Sequence, residues 1–140
     1  MPDFKDLKSL EAYLKKQVSE SLQTDVASDS RLLMSEHVQK DVYEAYKPRD
    51  YIRTFETMAD VKTTPIDDNT IELSDSRRGE NGENIPYILE YGKGYTWGSN
   101  LDERIGPRPF VAKTYEDLAK GKAELFMKNA LKKRGFKTMD

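Results

Sequence analysis

The sequence predicts an α+β fold, and three observations carry that prediction. An apolar stripe at helical spacing runs through the first fifty residues, a β-rich tract with a turn sits in mid-chain, and a second helical stripe closes the chain at a glycine. Helices at both ends around a small antiparallel sheet follow: an N-terminal helix pair, a hairpin and a long C-terminal helix.

Phe4, Leu7, Leu10, Leu14, Val18 and Leu22 recur at spacings of three and four, with lysine and glutamate opposite, and predict the first helix. Asp3 is placed to cap it. The tract TDVASDS, Thr24 to Ser30, is rich in residues that favour turns over helix interiors and predicts a break. A second stripe (Leu33, Met34, Val38, Val42, Ala45, Tyr46) predicts a second helix, ending at Lys47 because Pro48 disfavours helix in the residue before it. Residues 2–48 thus read as two helices able to pair as a hairpin.

Residues 50–75 read as a β-hairpin. YIRTFETMADVKTT is β-branched and aromatic, PIDDN supplies turn residues, and TIELS resumes alternation. Residues 76–84, the bulk of DSRRGENGEN, read as an exposed mobile loop. Residues 85–111 form an aromatic and glycine-rich loop, in which Pro86 and Gly92 bracket PYILEY as a short helix. Residues 114–135 read as the last helix through Leu118, Leu125, Phe126, Ala130 and Leu131, with Gly135 closing it and Phe136 packing back.

At 140 residues the chain is long enough for one domain and too short for two ordinary ones. Apolar residues make up 36% and charged residues 34%, and the mean hydropathy is −0.82, so much of the surface is heavily solvated. With 23 basic against 25 acidic side chains, the net charge of −2 gives little support to dedicated nucleic-acid binding. The absence of cysteine excludes disulfides and thiolate metal sites, and no long apolar run marks a signal peptide or a membrane span. No membrane partner and no cofactor are expected.

The chemistry-bearing candidates are sparse. His37 is the sole histidine, so a histidine metal cluster is excluded and a satisfied or exposed structural role is expected for it. Glu83, Glu90, Asp102 and Glu103 lie near the aromatic loop, but in a chain this charged, solvated or ion-paired roles account for them. GKGYTWG lacks the spacing of a phosphate-wrapping loop. The cations Lys128, Lys132, Lys133, Arg134 and Lys137 complement the negative end of the last helix. What remains is the loop itself: Tyr87, Tyr91, Trp97 and Arg108 are residue types that protein interfaces favour.

YILEYGKGYTW followed by RPFVAKTYEDL resembles the gene-product-ten-like family of phage morphogenesis proteins, small neck or head–tail joining components of long-tailed double-stranded-DNA phages. The matching positions are Tyr87, then Glu90, Tyr91 and Gly92, then Pro109 and Phe110; HVQKDVYEAYKPRDYIRT, residues 37–54, is similar to a tract of members from Gram-positive phages. Lys93 stands where that family commonly has a small hydroxyl residue.

The resemblance implies a non-enzymatic virion protein, assembled in the bacterial cytoplasm. It would form a hexameric or dodecameric ring with copies of itself, join connector and tail proteins, and let DNA pass without specific binding. Neck protein and tail terminator are both compatible. The segment shaping the joint is expected to be Tyr87, Glu90, Tyr91, Gly92, Trp97, Arg108, Pro109 and Phe110, with Arg108 pairing a carboxylate such as Glu90 on the same or a neighbouring chain and Phe110 anchoring the last helix. Competing readings are a nucleic-acid-binding module using the basic last helix and stacking aromatics, and a small hydrolase using loop carboxylates.

Overall fold

The spine of the molecule is a single long helix. In a computed structural model that describes residues 4–44, 56–79, 82–91 and 107–137, helical stretches Leu7–Ser21 and Ala27–His37 are joined by a π-helical turn, Leu22–Val26, and extended by another, Val38–Tyr43. Backbone angles stay right-handed helical at every junction, so residues 7–43 form one rod, here α1, about 55 Å long. Asp6 caps it, its carboxylate accepting the Ser9 N–H at 2.8 Å.

The expected break into a helix pair is therefore corrected. The turn-forming residues of TDVASDS stay helical, with the Thr24 hydroxyl donating to the Glu20 carbonyl at 2.6 Å and the wider π turn absorbing the local misfit. Tertiary contact decides the outcome. Arg134 donates to Gln17 and Glu20 on one side of the π turn and to Thr24 within it, and the small residues Ser21, Ala27 and Ser30 are buried.

After residues 45–55, which lie outside the described residues, a short helix, α2 (Glu56–Ala59), occupies ground expected to be strand. Its Met58 N–H donates to the Tyr43 hydroxyl at 3.1 Å, tying it to the end of α1. The hairpin begins at Val61, with β1 (Val61–Asp67) antiparallel to β2 (Thr70–Asp75). Pairing runs from Val61 opposite Asp75 to Asp67 opposite Thr70, and Ile66 is the extra residue of a bulge. Arg31 on α1 donates to the Thr63 hydroxyl at 2.6 Å and fixes the base of the hairpin.

The polar stretch beyond β2 is gathered at its base by an isolated bridge between Arg78 and Asn84. Asn84 then starts α3 (Ile85–Tyr91), its side-chain oxygen accepting the Tyr87 N–H at 3.2 Å. The chain's last helical region begins at Phe110, four residues earlier than its sequence pattern indicated. It is bent: α4 (Phe110–Asp117) and α5 (Ala123–Lys133) are linked through Leu118–Lys122, where Gly121 has φ 135°. No side chain but glycine's adopts that angle readily, so the helix divides here. Gly135, also at positive φ, ends α5, and the Phe136 N–H donates back to the Leu131 carbonyl.

One core joins these elements: Met34, Val38, Val42 and Tyr43 from α1, Val61 and Leu73 from the hairpin, Ile85, Ile88 and Leu89 from α3, and Phe110 from α4. The α+β class holds. The first half of α1 lies outside this core. Leu7, Leu14 and Val18 of its apolar stripe are exposed, and its cover is α5 together with the contact of Tyr13 with Phe4 and Phe136. No helix among the described residues is long and apolar enough to cross a membrane.

Candidate functional site

Of the residues singled out in sequence, Tyr87, Glu90, Tyr91, Arg108, Pro109 and Phe110 lie at the joint between α3 and α4. Arg108 approaches α3 through its backbone, its N–H donating to the Leu89 carbonyl at 2.6 Å. Pro109 follows with φ −80° and ψ 65°, the geometry of an inverse γ-turn, closed by the Phe110 N–H donating to the Arg108 carbonyl at 2.8 Å. This turns the chain into α4 within three residues.

Pro109 has no side-chain oxygen with which to cap the helix it precedes, and Glu90 supplies one from α3. Its Oε2 accepts the Val111 N–H and its Oε1 the Ala112 N–H, both at 2.9 Å. A carboxylate thus sits on the positive end of α4 and satisfies two donors that would otherwise lack partners. Within the chain Glu90 serves the helix terminus, and the buried Arg108 guanidinium reaches the Val42 carbonyl at 3.5 Å. Glu90 knits the joint through the helix terminus, and Arg108 through its backbone bond to Leu89.

Phe110 is fully buried and anchors α4. Tyr87 and Tyr91, one turn apart on α3, have the opposite placement. Each is 55% exposed, and their rings tilt against one another with centroids 4.8 Å apart. The joint therefore has an inner face of Ile88, Leu89 and Phe110 and an outer face of paired tyrosines. Gly92 and Trp97 lie outside the described residues.

A second polar centre escaped sequence analysis in part. His37 of α1 lies between two carboxylates, with Nδ1 at 2.6 Å from Asp41 Oδ2 and Nε2 at 2.6 Å from Asp117 Oδ2 on α4. Lys113 Nζ is 3.2 Å from the other oxygen of Asp41. Burial disfavours the imidazolium, but hydrogen bonds to Asp117 and Asp41, with their charges, outweigh it and raise the His37 pKa above its ordinary value. The same bond to His37 lowers Asp117. With both ring nitrogens engaged, His37 is a satisfied structural residue that locks α1 to α4. His37 and Asp41 are one helical turn apart, a spacing readable in sequence; Asp117, eighty positions away, is not. Among the described residues, no group of three or more histidine, aspartate or glutamate side chains is arranged to hold a metal ion.

A third feature is Asp75 at the end of β2. Burial raises its pKa to about 6; its hydrogen bond from the Arg77 N–H works the other way, and nearby Asp60 adds to the rise.

Comparison with known proteins supplies the lineage. The SPbeta prophage-derived uncharacterized protein YomN of Bacillus subtilis (strain 168) is 31% identical over 138 residues, spanning 96% of this chain and 98% of that one. No solved structure matches. The family model that matches, described as YomN, covers residues 6–139. This corrects the family expected from the resemblance while keeping its phage association: the chain belongs to the YomN family.

Proposed function

We propose that this phage-associated protein is a structural, non-enzymatic component of the particle, a ring subunit at the head–tail junction that joins connector to tail and leaves a passage for DNA. The observation that carries this reading is the tyrosine pair. Tyr87 and Tyr91 stand more than half exposed on a helix whose other face is locked into the core through Glu90 and Phe110. Rigidly backed aromatics are the residues that protein interfaces use as anchors. The exposed Leu7, Leu14 and Val18 add apolar surface for a neighbour to cover.

Deleting the gene from the phage and imaging the products tests this. Separate DNA-filled heads and free tails are expected, with wild type restoring whole particles and a Tyr87→Ala/Tyr91→Ala variant failing to do so. Complete infectious particles from the deletion overturn the reading. A second reading, binding of nucleic acid, is favoured by the exposed Lys122, Lys132 and Lys133 near the end of the chain. It requires DNA affinity that falls steeply as salt rises in filter binding.

A further inference from the structure

Beyond Thr63 the hairpin leaves the body of the molecule. Thr64, Pro65, Ile66 and Asp67 are all exposed on the outward strand, as are Asp68, Asn69, Thr70 and Glu72 on the turn and return. A two-stranded ribbon with both edges open is marginal alone and gains from being covered. Its tip has a distinct chemistry. The bulge residue Ile66, 56% exposed, is accompanied by Asp67, Asp68 and Glu72, and none of these carboxylates has an ion-pair partner among the described residues. The only cation within the two strands, Lys62, is at the base.

The outer face of α5 and its lead-in is the inverse. Lys122, Leu125, Asn129 and Lys132 follow a three- and four-residue spacing, with Lys133 beside them, and all are exposed. Leu125 is 45% exposed at the centre of this basic strip. Lys133, and Lys137 just beyond, have no ion-pair partner among the described residues, whereas other surface charges are paired one turn apart, as in Lys15–Glu11 and Lys120–Glu116. Each surface thus places one exposed apolar residue beside charges mainly of one sign, and the signs are opposite; the acidic exception on α5 is Glu124, which is paired with Lys128 at 3.4 Å. Within one chain α5 packs on α1 rather than on the hairpin.

We propose that the acidic hairpin arm of one copy docks on the basic outer face of α5 in the next copy, a head-to-tail contact between identical chains. Two different patches of one chain meeting in this way form a heterologous interface, which generates a ring when the rotation closes. Opposed charges steer the encounter and fix its register, and Ile66 meeting Leu125 supplies the apolar contact. The inference rests on the ring-subunit reading and names the surfaces that build it.

Sedimentation velocity of the full chain at low salt, over rising concentration, tests the contact. Wild type associates, and added salt weakens it. The arm variant Asp67→Lys/Asp68→Lys/Glu72→Lys and the helix variant Lys122→Glu/Lys132→Glu/Lys133→Glu each lose association by about 100-fold or more, because like charges then face one another. Mixed in equal amounts the two variants associate again, since each arm now meets a face of opposite sign. Circular dichroism checks that each variant is folded; Ile66→Asp, expected to weaken association without reversing the pattern of charge, replaces any that is not. A monomeric wild type, a folded triple variant that associates like wild type, or a mixture that stays apart overturns the proposal, and so does a helix variant that loses DNA binding but not self-association. Presence in particles is read separately by mass spectrometry. A chain that associates through the arm but is missing from particles keeps the docking and loses the head–tail role, whereas a particle component whose triple variants assemble normally does the reverse.

Discussion

Replacing Glu90 with alanine tests the joint between α3 and α4. The carboxylate accepts two backbone N–H groups at 2.9 Å on the first turn of a helix preceded by a proline that has no side-chain oxygen to offer. Loss of an N-terminal cap costs about 1 kcal/mol, and here one side chain serves two donors with a full negative charge, so Glu90→Ala is expected to destabilise by about 2 kcal/mol. For a chain of this size that lowers Tm by about 6 °C. Glu90→Gln keeps one carbonyl acceptor and gives up the charge, so its loss is expected to be about half as large. Thermal unfolding followed by circular dichroism reads both. An alanine variant melting with wild type, or a glutamine variant as weak as alanine, refutes the capping role.

Three further outcomes follow from burial and charge. Phe110→Ala removes a fully buried ring at the centre of the core and is expected to cost about 3–5 kcal/mol in chemical denaturation; a loss below about 1 kcal/mol contradicts that placement. His37, as the only histidine, can be titrated by NMR and is expected above 6.5; its stabilising effect is full below that value and fades as pH rises through the higher folded value, so the advantage of wild type over His37→Gln shrinks in alkali. A titration at or below 6.5 sinks the lock. Asp75 has the sign of a destabilising carboxylate: raised from 3.8 to about 6, it favours the fold only while protonated, and that help is lost as pH rises through about 6. Asp75→Asn is therefore expected to gain about 1 kcal/mol at neutral pH, a figure reduced because the group is only partly shielded from water, and nothing at pH below the ordinary carboxylate value. An equal gain at both pH values rules out the charge as the cause.

The helices of this fold were legible because their apolar positions recur with the helical period, and the hairpin because its β-rich tracts meet at turn residues, of which Asp68 and Asn69 make the turn while Pro65, Ile66 and Asp67 end β1. For His37 an exposed or satisfied structural role was legible from its being the sole histidine. Less legible was the unbroken run of α1. Thr24, Ser28 and Ser30 favour turns when judged locally, yet all are helical, and Arg134, more than a hundred residues later, donates to Gln17, Glu20 and Thr24 at the π turn. Asp117 opposite His37 and Glu90 opposite Val111 are likewise long-range partnerships that no spacing announces. Gly121 was a signal in plain sight: a glycine between two lysines in a helical pattern, and the point at which that helix divides.

That division gives the two halves of the final helix separate duties. α4 seals the core with Phe110 and Thr114 and bolts itself to the spine through Asp117, while α5 lies along α1, whose distal half is clasped by Arg134 and Phe136 just past the end of α5. Had the rod run straight through residue 121, it could not have served both clients at once. The left-handed hinge residue thus lets one short polypeptide brace a strut far longer than its own apolar interior.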